Sequence, residues 1–137
     1  MELSKLFVLM IIAGCFILGC DKSEPIKAGK IEPMTFSEIQ TVIFNESCIR
    51  GCHDPNTHMG NLDLSPGNSY YNLIGVNSNG DSTKKRVDPF NSKKSYLIAS
   101  LKGIDYAVIM PPFPIKPLDK DIINRVMLWI EMGAQNN

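Results

Sequence analysis

"NESCIRGCHDPN", residues Asn45–Asn56, places Cys48, Cys52 and His53 within six positions. Two thiols followed at once by an imidazole suit three chemistries. They can bind a haem covalently and ligate its iron, grip a zinc ion, or close a small disulfide loop. The rest of the chain has to choose among them.

The chain has 137 residues, 44% of them hydrophobic, with 14 basic and 14 acidic side chains and no net charge. Bulk electrostatics therefore points to neither nucleic acid nor an anionic membrane surface as a partner. The length suits one domain. After a short charged start, "LFVLMIIAGCFIL" (Leu6–Leu18) is continuously apolar. It is too short for a spanning helix, which needs ~20 residues, but it suits the h-region of a secretory signal. The run ends "ILGC" (Ile17–Cys20) before the polar "DKSEPIKAGK". This resembles a bacterial lipoprotein signal, in which a small residue precedes the cysteine that takes lipid. A second candidate, "IAGC" ending at Cys15, lies inside the apolar run, so Cys20 is the expected lipidation site. An uncleaved N-terminal anchor is the alternative; either way the domain leaves the cytoplasm. The expected organisation is a signal over 1–19, a tether over 20–34 and a domain over 35–137. Its place is the bacterial cell envelope, lipid-anchored to a membrane and periplasmic or surface-facing. Of the four cysteines, only Cys48 and Cys52 then remain for the domain. In an oxidising compartment two such thiols are not left idle.

Residues 21–34 are rich in Lys and Glu, carry Pro25 and Pro33, and show no apolar period, which reads as a tether. At Thr35 the pattern changes. "TFSE" is a capping box, and Phe36, Ile39, Val42 and Ile43 recur at helical spacing, predicting a helix of about three turns into Cys48. From Asp54 to Asp88 the chain reads as loops, with one short helix near Ser69–Ile74. "KKSYLIASLKG" predicts a helix ending at Gly103. Asp119 is placed to cap a last helix bearing Ile122, Val126, Trp129 and Ile130 on one face, with Gly133 to end it. No strand pattern is present. The expectation is an all-α domain with long loops. A domain this short buries only ~60–68% of its unfolded surface, and each ordered loop residue costs ~1–2 kcal/mol. A large apolar cofactor at the centre would offset that cost.

Haem attachment takes two thiols for thioethers and a neighbouring imidazole for iron, usually spaced C-x-x-C-H. The spacing here is C-x-x-x-C-H. Four positions still amount to about one helical turn, with the extra residue expected as a bulge at Arg50 or Gly51. Iron also takes a ligand opposite the histidine. Met110 sits in "IMPPFP", where Pro111, Pro112 and Pro114 stiffen the loop. A lone methionine is usually a core gap filler, but a Met-Pro-Pro after a Cys-Cys-His motif reads as a distal ligand, which raises the potential.

The pieces "TFSEIQTVIFNESC", "GCHDP", "NLDL", "YYNLIGV", "RVDPFNSKKSYLIASLKG", "IMPPFP" and "WIEMGAQN" resemble, in this order, class I-like bacterial cytochrome c domains of the planctomycete type. The resemblance covers nearly all of Thr35–Asn137. It implies a cytochrome c-like helical fold around a single haem c. Cys48 and Cys52 would bind it covalently, with His53 as proximal and Met110 as distal iron ligand. Ser95 and Leu97 match the helix before the methionine loop. Trp129 falls in the terminal helix, which packs on the N-terminal one. Two departures stand out: the three-residue spacing, and Phe90 where such domains often carry glycine. The implied activity is one-electron transfer between redox proteins of the envelope, and the chain is not expected to be an enzyme.

The competing readings keep their own residues. Zinc would use Cys48, Cys52, His53 and His58, but adjacent Cys52 and His53 rarely point at one tetrahedral ion. A Cys48–Cys52 disulfide would make the chain a haem-free binding lipoprotein. If Met110 were not a ligand, a haem enzyme would return as a possibility. His58 and Met59 lie so close after His53 that reaching the opposite haem face demands a tight reversal. Met34, Met127 and Met132 suit tether or core. Lys84, Lys85, Arg86, Lys93 and Lys94 form a basic cluster that suits either a solvated loop or a docking patch for an acidic redox partner. Arg50 is a candidate to pair with a haem propionate.

Overall fold

A computed structural model describes residues 30–137; the expected signal, Cys15, Cys20 and most of the tether lie outside the described residues. Helix α1 (Phe36–Glu38) opens on the predicted capping box. Glu38 N donates to Thr35 Oγ1 at 3.1 Å, and Thr35 N donates to Glu38 Oε2 at 2.8 Å. From Ile39 to Cys48 the same helix continues in π winding. Each N–H then reaches back five residues, as Ile49 N does to Phe44 O at 3.0 Å, a winding that is rare in proteins and mostly confined to single turns. The wider turn changes which residues face inward. Phe36, Ile39, Gln40, Ile43 and Phe44 are buried, whereas Val42, placed on the apolar face by α-helical spacing, is 48% exposed.

Short elements follow: a 3-10 turn Met59–Asn61, α2 (Ser69–Leu73), a 3-10 turn Ser92–Lys94, α3 (Tyr96–Lys102) and α4 (Lys120–Glu131). No strand forms among the described residues; isolated bridges tie Ile74 to Val87, Asn77 to Lys85, and Lys85 to Ser95. The domain is helix-rich without a sheet. Gly103 ends α3 in the left-handed conformation, as its position predicts. Asp119 stands at the N-cap of α4 but makes no side-chain capping bond, its carboxylate facing Lys116 Nζ at 3.4 Å instead. The buried face is Ile123, Val126, Trp129 and Ile130, with Ile122 half-buried beside it.

The two ends of the described chain meet over an aromatic core. The Phe36 ring stacks on Trp129 at 5.7 Å and meets Tyr70 edge-on at 5.0 Å. Helix α1 begins with N–H groups that have no partner within the helix. Asn137 supplies partners for two of them: its side-chain Oδ1 accepts from Phe36 N at 2.9 Å and its main-chain O from Ser37 N at 3.0 Å. Trp129 Nε1 donates to Gln135 O at 2.9 Å, so the indole is both packed and satisfied. The last residues of the expected tether are a packed arm instead. Met34 is 3% exposed, its N–H donates to Arg125 O, and Arg125 Nε donates to Glu32 O at 3.0 Å.

Phe90 holds a left-handed φ of +66° and donates its N–H to Ile130 O at 2.8 Å. Its ring lies against Gly133, where a Cβ would stand 2.7 Å from the ring. The departure at position 90 thus sits where the backbone itself favours glycine.

Candidate functional site

Cys48 is the last residue of the π-helical stretch, and the chain folds back at once. Cys52 N donates to Ile49 O and His53 N to Cys48 O, both at 3.1 Å. Gly51 takes a left-handed φ of +74° to allow it. The two cysteines therefore do not share one helical turn, as their spacing predicts. One closes the helix, the other stands in the turn beyond, and the extra residue is taken up at Gly51. Asp54 fastens this turn. Its carboxylate accepts from Gly51 N at 3.0 Å, Asn56 N at 2.8 Å and Thr57 N at 3.0 Å. Hydrogen bonds from Thr57 first, then from Asn56 and Gly51, push its carboxyl down to about 2.

Both thiols are free and half-buried, and both line the same cavity. Burial, with Cys52 alongside, pushes the Cys48 thiol up to about 12. Near neutral pH it is therefore a thiol rather than a thiolate.

The segment after the motif runs back along it. Met59 N donates to Cys52 O at 2.9 Å and Leu64 N to His53 O at 2.8 Å. His53 Nδ1 lies 3.2 Å from Leu62 O. A carbonyl oxygen only accepts, so this contact has Nδ1 as donor, which leaves Nε2 as the ring nitrogen a metal would take. Left-handed residues at His58, Gly60 and Asn61 produce the tight reversal that the sequence made a condition for Met59. Met59 does line the cavity, but its backbone is tied to Cys52, on the motif's own side. His58 lines a separate polar cleft with Asp63, Asn72 and Lys85.

The remaining walls come from Phe44, Leu73, Tyr96, Leu97, Leu101 and the segment that carries Met110, Pro111 and Pro112. Met110 N donates to Ser100 O at 2.9 Å, which ties the methionine loop to α3. A Cβ on Gly80 would stand 2.1 Å from Tyr96 Oη, so glycine lets the tyrosine lie against the turn that carries Asn79 and Gly80. The cavity holds about 200 Å³ for the centres of water-sized molecules, within about 980 Å³ of space free of protein atoms that includes its open mouth. That is room for a sizeable ligand rather than a few waters.

Cys48, Cys52, His53 and Met110 are thus brought to one mainly apolar cavity. Among the described residues no three His, Cys, Asp or Glu side chains are grouped to hold a metal ion. The Cys48, Cys52, His53 and His58 set of the zinc reading is accordingly not assembled. The basic cluster loses one of its members to the interior. Lys84 pairs with Asp105 at 2.9 Å, Lys85 Nζ donates to Asn77 Oδ1, and Arg86 is 7% exposed, so it contributes nothing to a docking patch. Lys93 and Lys94 remain on the surface, as does Arg50.

Two buried polar residues had no signal in the sequence. Gln40 sits on the inner face of the first helix and bonds Leu64 O, Asn45 Oδ1 and the Ser69 hydroxyl, holding that helix to the loop after the motif. Arg86 is the other, on the wall of the cavity. No helix among the described residues is long and apolar enough to cross a membrane. No protein-family model matches the chain, and no curated protein or solved structure matches it.

Proposed function

We propose that this chain is a mono-haem c-type cytochrome, tethered to a membrane through lipid on Cys20, that carries single electrons between redox proteins of the cell envelope. The observation that carries the reading is the shared cavity of Cys48, Cys52, His53 and Met110. Two free thiols, an imidazole with one nitrogen already committed, and a thioether make a donor set that fits haem c, and the apolar lining fits a porphyrin. The pairing of donors follows the resemblance to class I-like cytochrome c domains, as does a cytochrome c-like arrangement of the helices.

In this reading the haem supplies the reversible one-electron couple. The chain does the rest. Cys48 and Cys52 fix the haem to the turn that Asp54 fastens. The Leu62 carbonyl holds the His53 Nδ1 proton, which sets the ring's orientation and raises its basicity as a ligand. Met110, carried on the loop tied to Ser100, would be the second protein ligand to the iron, and a thioether there would favour the ferrous state. Phe44, Leu73 and Leu101 exclude water. With His53 and Met110 both committed to the iron, no coordination site would be left for a small-molecule substrate, so this reading makes the chain an electron carrier rather than an enzyme.

The test is an alkaline pyridine spectrum beside an intact mass, on protein exported together with haem-attachment machinery. A c-type spectrum with one covalently added haem supports the reading despite the C-x-x-x-C-H spacing. A colourless protein two mass units below its reduced form carries a Cys48–Cys52 disulfide instead, and electron transfer is then abandoned for a binding module.

A further inference from the structure

Arg86 is a buried cation without a counter-ion. Its Nη1 donates to Asn72 O at 2.8 Å, and its Nη2 to Asn61 O at 2.9 Å and Gly60 O at 3.3 Å. All three acceptors are neutral carbonyls, and no carboxylate among the described residues lies within ion-pair reach. The side chain stands between the apolar cavity and the polar cleft, lining both. On the cleft side the titratable groups are His58, Asp63 and Lys85, of which only Asp63 is acidic. Its two oxygens are taken, Oδ1 by Ser65 N and Oδ2 by the Asn68 amide, both at 2.8 Å. The backbone on either side of the guanidinium is pinned as well: Arg86 N donates to Val76 O at 2.7 Å, and Leu97 N donates to Arg86 O at 2.9 Å. The head group is therefore held in place rather than free to swing into water.

A buried lysine can shed its proton to escape this situation; arginine cannot. Burial lowers the Arg86 pKa from its ordinary value, yet the group stays charged. A buried charge is retained where something of opposite sign completes it. We propose that Arg86 is the seat of an anionic, carboxylate-class group on the molecule that fills the cavity. Resting on the cytochrome reading above, that group is a haem propionate. The haem then lies with its vinyl edge on Cys48 and Cys52 and its acidic edge toward Arg86, and Arg50, exposed on the motif turn, has no part in it.

The test uses the full chain with covalent haem, in wild type, Arg86→Lys and Arg86→Gln forms, and records midpoint potential from about pH 3.5 to about pH 8, across and above the usual carboxyl range. A propionate held by a cation stays ionised throughout, so wild type and Arg86→Lys give flat profiles. In Arg86→Gln the propionate takes a proton within that range and the potential rises on the acid side. Profiles of wild type and Arg86→Gln that superimpose overturn the proposal. Should Arg86→Gln fail to fold, redox-difference infrared spectra of the wild type at about pH 3.5, below the usual carboxyl range, decide. Carboxylate bands without a protonated-acid carbonyl band uphold the pairing, and a protonated-acid band overturns it. A wild-type chain that acquires no haem sinks the cytochrome reading and this inference with it. Haem bound with unchanged profiles sinks the Arg86 assignment alone.

Discussion

The helix that leads into Cys48 and the loop that carries Met110 both wall the cavity, but they are held by different forces. The helix is locked from below: Ile39, Ile43 and Phe44 are at most 1% exposed, and Phe36 is stacked on Trp129. The loop from Ile104 to Ile115 turns most of its apolar side chains outward, with Tyr106, Val108 and Phe113 exposed. It is fixed mainly by main-chain bonds, Ile104 N to Ala99 O and Met110 N to Ser100 O among them. A fold whose attachment side is core and whose distal side is loop can separate stability from ligation. Stability resides in the helix and its partners, while Met110, the proposed second iron ligand, rests on a segment that can be altered without unfolding the rest.

The sharpest way to break that contrast is Trp129→Ala. Removing a buried indole that stacks on Phe36 is expected to cost about 3–5 kcal/mol in denaturant unfolding, and a loss under about 1 kcal/mol would show that the aromatic floor is not what holds the helix. Gly133→Ala comes next. The left-handed backbone and the Phe90 ring leave no place for a Cβ, so a loss of roughly 1–3 kcal/mol is expected from strain, and Phe90→Gly in the same chain should recover part of it. Met110→Ala sharpens the comparison from the other side. The residue is only half-buried, so unfolding should change by roughly 1 kcal/mol. The midpoint potential of the haem-loaded protein should nevertheless fall well beyond error, because axial ligands command a range of roughly 0.8 V. An unchanged potential would remove Met110 from the iron.

The smallest effect is in acid. Asp54, Asp63, Asp81, Glu38 and Glu131 all have their carboxyls held below the ordinary value, chiefly by hydrogen bonds from neighbouring residues. Because each folded pKa lies below the unfolded one, their contribution is complete above the ordinary carboxylate range and is lost as pH falls through the folded values. Stability should be level near neutrality and decline below about pH 4, toward the Asp54 value of about 2. In Asp54→Asn the low-pH end of that decline should flatten, and a thermal-melting series across pH 2 to 7 measures it.

Much of the frame was legible in the sequence because it depends on neighbours in the chain. The Thr35–Glu38 box, the Gly103 stop and the apolar face of α4 each need only three or four adjacent positions to be recognised. Val42 escaped because α-helical spacing carries no sign of π winding, which the tertiary contacts of Ile39, Ile43 and Phe44 favour. Arg86 escaped for a related reason. Among Lys84, Lys85, Lys93 and Lys94 it reads as one more surface charge, and only the convergence of the Asn61, Asn72 and Gly60 carbonyls, up to 26 positions away, takes it inside. The site was legible as a set of residue types, Cys48, Cys52, His53 and Met110. The Leu62 carbonyl that orients the histidine was not, since any residue has one.

The clasp of Asn137 on the start of α1 spans 101 positions, and it bears on how fast the molecule forms. Helical proteins generally fold quickly because their contacts are local. Here the core closes only when opposite ends of the domain find each other, with the loop-closure entropy of the intervening chain set against them. Folding should be slow for so helical a protein. The helix that ends at Cys48 is thus seated on its aromatic partners only when segments 101 positions apart have met, and the cavity wall it supplies waits on that encounter.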